Sequence, residues 1–106
     1  MSDEIKSILA ELKERFQELY GERLVQMVLY GSQARGDAED GSDIDVLIVL
    51  KDEVNPSSEL QNAGDTIYDI SYRHDVVVSC VFVSEERYAR GEGPLIRNVR
   101  REGLSV

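Results

Sequence analysis

The chain has one cysteine, Cys80, and one histidine, His74, in its 106 residues. A single thiol excludes an internal disulfide and any zinc site built from several cysteines. Within the apolar run VVVSCVFVS, Cys80 reads as a small buried hydrophobe rather than a reactive thiol. His74 reads as a helix C-terminal or loop residue rather than a ligand. Basic residues are scarce: 12 Lys and Arg against 21 Asp and Glu leave a net charge of -9. The body of the molecule therefore repels nucleic acid and anionic membranes, and no direct DNA or RNA contact is expected. Long apolar runs are absent too. No stretch approaches the roughly 20 apolar residues of a membrane span, and MSDEIKSILAELKERF has neither a basic n-region nor an apolar h-region. The expectation is a cytoplasmic protein. Its length suits a single domain, residues 1–106, with one core and no room for a separate substrate domain.

Hydrophobic spacing then sets the elements. Ile5, Ile8, Leu9, Leu12, Phe16 and Leu19 recur at three- and four-residue intervals, with Asp3 and Glu4 ahead of them and Gly21 after, which predicts an amphipathic helix. Leu24–Tyr30 predicts a first strand. Ile44–Leu50, apolar at every position, predicts a central strand covered on both faces. Between them, residues 31–42 form a connection with one helical turn at Ser32-Gln33-Ala34-Arg35. A second helix is predicted from Asn55-Pro56 to about Tyr72, with Leu60, Ala63, Gly64, Ile67 and Ile70 at helical spacing. A third strand follows at Val76–Val83, then a short helix capped by Ser84 and a last one from Pro94 through Arg101, with Leu95, Ile96 and Val99 inward. This order implies a small mixed sheet flanked by helices, an α/β or α+β sandwich.

The chemistry concentrates in LYGSQARGDAEDGSDIDVLIVL, residues 29–50. Asp43 and Asp45 are two apart at a strand, so their side chains leave one face. At about 5 Å and an effective dielectric of about 20, two carboxylates repel by about 3 kcal/mol, so a cation belongs between them. Mg²⁺ fits, because it takes one or two carboxylates and completes its shell with waters and substrate phosphates. Gly31 lets backbone approach a ligand closely, and Ser32 offers a hydroxyl and an amide at a helix start, which together suit a phosphate. Arg35, one turn on, reaches toward the same phosphates.

Gly31-Ser32, ten further residues and Asp43-Ile44-Asp45, with Ala-Arg-Gly between and Arg-Glu-Gly near the C-terminus, resemble the minimal nucleotidyltransferase branch of the DNA polymerase β-like superfamily. The resemblance implies the polymerase β-like nucleotidyltransferase fold. It also implies that Asp43 and Asp45 bind two Mg²⁺ ions and that Gly31 and Ser32 hold the triphosphate of ATP. A third carboxylate, from a later strand, would bridge to the metal or take the proton of the attacking hydroxyl. Asp75 is the choice for it, standing before Val76-Val77-Val78 as Asp43 stands before its own strand, with Asp69 as the alternative.

By the same resemblance, the activity is transfer of a nucleoside monophosphate, AMP from ATP, to a hydroxyl. In this branch the partner is a small helical ribonuclease toxin of HEPN type, and the nucleotidyltransferase is its antitoxin. The surface missing from so short a chain would come from that partner or from a second copy of the chain. The competing reading is a non-catalytic module that neutralises a partner by binding alone. Arg97 and Arg101 stand equally as partner contacts or as part of a solvated face.

Overall fold

The computed structural model describes residues 1–106. Ser2 opens the first helix, α1 (Asp3–Tyr20): its hydroxyl oxygen accepts from the Ile5 N–H at 3.2 Å, and Asp3 and Glu4 occupy the first turn where the dipole favours acids. Ile5, Ile8, Leu9, Leu12 and Phe16 are buried as their spacing predicts. Leu19 departs from that reading. It is 43% exposed, and Tyr20 takes the inward position because its ring packs against Phe16 and Phe82, with centroids 5.8 and 6.4 Å away. A 3₁₀ turn over Gly21–Arg23 then delivers the chain to β1.

The remaining elements are β1 (Leu24–Tyr30), α2 (Ser32–Arg35), β2 (Ile44–Leu50), α3 (Pro56–His74), β3 (Val78–Ser84), α4 (Glu85–Arg90), α5 (Gly93–Glu102) and β4 (Leu104–Ser105). The sheet order is β3-β2-β1-β4, with β1 antiparallel to both β2 and β4, and β2 parallel to β3 through the α3 crossover. This mixed sheet flanked by helices is the fold class that the hydrophobic pattern predicts. β4 is two residues long and carries no hydrophobic pattern, and the sequence reading has no counterpart to it.

Alternation splits β2 between two cores. Ile44, Val46, Ile48 and Leu50 join Met27, Leu29, Phe82 and the buried side chains of α1 and α3. Leu47 and Val49 face the other way and join Val28, Val83 and, from α5, Ile96 and Val99. Leu95, assigned inward, is 40% exposed, and of the residues at helical spacing on α3 Leu60 is 54% exposed and Gly64 has open space where a side chain would stand. Tyr68 and Tyr72 stack on each other on the exposed side of α3. No helix is long and apolar enough to cross a membrane.

Candidate functional site

Asp45 is the second residue of β2 and shares the face of Leu47 and Val49, the face that α5 covers. Its in-register neighbours are Tyr30 on β1 and Ser79 on β3. Asp43 precedes the strand, is exposed, and by alternation leaves on the same side. Asp45 is half-buried; burial foremost, and then the charge of Asp43, push its carboxyl above the ordinary range, while the Arg35 guanidinium works in the opposite direction. Tyr30 answers to the same charge: burial and the Asp45 carboxylate both raise its hydroxyl.

β1 and β2 run antiparallel, so the end of β1 lies beside the start of β2, and that juxtaposition brings the two halves of the motif together. Gly31 has φ 75° and ψ -157°, a region essentially restricted to glycine. A Cβ there would stand 2.5 Å from Asp45 Oδ2. The missing side chain at residue 31 is therefore space that the Asp45 carboxylate fills. α2 is a single turn. The Ala34 and Arg35 amides both donate to the Gly31 carbonyl at 3.1 Å, so a phosphate at this turn would be met by Ser32 and Gln33 at its front. A four-residue helix adds little dipole, and the hydroxyl and amide of Ser32 carry more of the expected role than the helix does.

A two-carboxylate donor set of hard oxygens, one of them raised in pKa by burial and then by its neighbour's charge, fits a divalent cation that brings its remaining ligands with a phosphate substrate. No group of three potential metal-ligating side chains forms anywhere in the molecule. Asp75 does not form such a group with the carboxylate pair. β3 begins at Val78 rather than Val76, and Asp75 is the left-handed cap of α3 at φ 52°, its amide turned back onto Tyr72. It lines a cleft with Ser2, Glu4 and Ile5 of the α1 end and with Ser42. Asp69 is no substitute. It lies on α3, across the sheet from Asp45, where Arg15 at 2.9 Å and Arg73 at 3.2 Å hold its carboxyl below the usual range. Ser79 is the β3 residue in register with Asp45, and Val77, just ahead of β3, has the same parity.

One expected outcome follows. Asp75→Ala and Asp69→Ala should each leave the affinity for Mg²⁺·ATP within about twofold of the parent in a calorimetric titration, since neither side chain reaches the pair. A tenfold loss for either would return that residue to the site.

Three neighbours of the site escape sequence reasoning. Tyr30 and Ser79 flank Asp45 only because of strand register. Glu102 reaches Arg35 from 67 positions away, its Oε1 accepting from Nη1 at 3.3 Å. The Arg-Glu-Gly triplet was the one local signal for it. Arg101 donates to Asn98 at 2.6 Å, and His74 ends α3 with Nε2 3.0 Å from Glu11 Oε1; neither approaches the pair. Cys80 is enclosed enough that burial pushes its thiol up to about 12, which makes it unreactive.

A Gly-Ser turn closing one strand against a carboxylate pair opening the next, in a mixed sheet of this order, defines the class of the nucleotidyltransferases. The chain belongs to that family: residues 9–102 match the model of the nucleotidyltransferase domain, and the protein is a nucleotidyltransferase. A relative from Methanocaldococcus jannaschii named "Putative protein adenylyltransferase" is 34% identical over 76 residues, which cover 72% of this chain and 76% of that protein. Two solved structures share the fold. One is described as a "putative minimal nucleotidyltransferase" (TM-score 0.59, 24% identity, covering 95% of this chain and 94% of that one). The other is a toxin-antitoxin structure with AMP-PNP (TM-score 0.61, 19% identity, covering 98% and 72%).

Proposed function

We propose that the protein transfers AMP from ATP to a hydroxyl on a protein partner, and that the partner is a small helical toxin of HEPN type which the transfer silences. The observation that carries the reading is the contact between Gly31 and Asp45, which sets a phosphate-binding turn against a carboxylate pair. Support for the adenylyl group and for a protein acceptor comes from the name of the Methanocaldococcus jannaschii relative. A toxin as partner is taken from the toxin-antitoxin structure that shares the fold, and its HEPN type from the sequence resemblance. The net charge of -9 suits a basic, RNA-cutting partner.

In this mechanism Ser32 and the front of α2 receive the triphosphate, and Arg35 takes a share of its charge. Asp43 and Asp45 hold the divalent cations. Mg²⁺, when bound, supplies neutralisation of the triphosphate and stabilises both the attacking and the leaving oxygen of the displacement. The acceptor hydroxyl forms a bond to the α-phosphorus, the bond to the β-phosphate bridging oxygen breaks, pyrophosphate leaves, and the hydroxyl proton passes to solvent or to a group arriving with the acceptor. Asp43 is exposed, so the pair opens outward to meet such an acceptor surface.

The test is co-expression with a HEPN-type toxin encoded beside the gene, followed by separation of the chains and mass spectrometry. AMP adducts on hydroxyl side chains of the partner are expected, dependent on Asp43, Asp45 and a divalent metal. Full protection by an Asp43→Asn variant with no adduct would establish neutralisation by binding alone.

A further inference from the structure

Arg35 is gripped from two sides. Its Nε donates to Asp37 Oδ2 at 3.2 Å and its Nη1 to Glu102 Oε1 at 3.3 Å, while Nη2 has no acceptor within this chain. The two grips differ in kind. Asp37 is two residues from Arg35 on an exposed loop, so it moves with the side chain it holds. Glu102 closes α5, and the backbone behind it is pinned. A Cβ at Gly103 would stand 2.5 Å from Val28 Cγ1 and collide with the Val99 carbonyl, to which the Gly103 amide donates at 2.7 Å. The next residue, Leu104, pairs with Leu29 of β1.

β1 leads directly into Gly31. The Glu102 carboxylate is therefore referenced to the same rigid strand that sets the Gly-Ser turn, and α5 packs over the sheet face from which Asp45 projects. An arginine side chain left free samples many rotamers, and most of them point away from the seat. A fixed carboxylate on Nη1 and a second on Nε leave Nη2, which both edges of the planar guanidinium share, as the nitrogen without an acceptor.

We propose that Glu102 is a positioning residue: its carboxylate orients the Arg35 guanidinium so that the free Nη2 is presented to the phosphates of the nucleotide. The proposal rests on the reading of Arg35 as a phosphate contact. The opposite role, a latch that occupies Arg35 until phosphate displaces it, would give the opposite sign.

Mg²⁺·ATP is titrated calorimetrically into the parent, Glu102→Gln, Arg35→Ala and the double variant, with melting temperatures recorded without ligand. Arg35→Ala is expected to weaken binding about tenfold or more, and Glu102→Gln about three- to tenfold. In the Arg35→Ala background, Glu102→Gln is expected to add less than about twofold, because the residue it positions is gone. The surface pair should leave the melting temperature almost unmoved. Tighter binding by Glu102→Gln would establish the latch and overturn the proposal. Unchanged binding would overturn it as well, and so would a loss of the same size with and without Arg35. Parent-like binding by Arg35→Ala would remove the phosphate role of Arg35 and the proposal with it, while leaving the Asp43–Asp45 site standing.

Discussion

Asp43→Asn or Asp45→Asn should abolish the thermal stabilisation that Mg²⁺ and ATP confer, and should do so without weakening the unliganded fold. A ligand that binds only the native state at about 100 times its Kd contributes about 2.7 kcal/mol. At about 4–8 °C per kcal/mol for a domain of this size, the parent should melt about 10–20 °C higher with the nucleotide. Each Asn removes one anionic ligand, and the shift should vanish. The unliganded variants should melt at or above the parent. Asp45 is the clearer case: burial and Asp43 both disfavour its charged form, so keeping it ionised at neutral pH costs the folded state stability, and Asn relieves that cost. Differential scanning fluorimetry with and without Mg²⁺·ATP reads both effects. Variants that shift like the parent would place the metal-nucleotide site elsewhere.

The second large effect belongs to Gly31→Ala, and it separates backbone strain from collision. Alanine at φ 75° and ψ -157° costs about 1–3 kcal/mol through the backbone alone. Its Cβ must also displace the Asp45 carboxylate, whose Oδ2 would stand 2.5 Å away. Nucleotide affinity should therefore fall by about a hundredfold or more, as the carboxylate and the turn can no longer meet. Gly36→Ala is the control. Gly36 has φ 84° but nothing within 4 Å of the place a methyl group would take, so that variant should lose stability and keep its affinity. Equal affinity losses in the two would mean that strain in the turn, not the Asp45 contact, governs binding.

Stability across pH should carry a separate signature from the α1–α3 ion network. Arg15, then Arg73, hold Asp69 below the usual carboxylate range, and His74 and then Arg73 do the same for Glu11. Groups depressed in the folded state lend stability above their unfolded pKa and lose it as pH falls through the depressed value. The melting temperature should therefore decline on acidification below about pH 4, and an Asp69→Asn, Glu11→Gln double variant should show a shallower decline. These side chains are largely solvated, so the difference should be small.

Local pattern sufficed wherever a single period decides the outcome. The bounds of β1 and β2 and the single turn of α2 follow from apolar runs and from Gly31 and Gly36, because burial on two faces and left-handed backbone leave few residue choices. The same local logic marks Gly31, Ser32, Asp43 and Asp45 as one motif. Asp75 shows where that logic stops: being ahead of an apolar run is a local property, but standing beside Asp45 depends on where α3 ends and the ladder begins. Asp75 still caps α3, β3 enters at Val78, and the residue in register with Asp45 is Ser79. Tyr30, Ser79 and Glu102 became neighbours of the site only through strand register and the return of α5 and β4 onto β1. Register and helix docking are set by the fit of whole faces. A sequence names the chemistry of a side chain, but its neighbours across a sheet are decided when those faces close on one another.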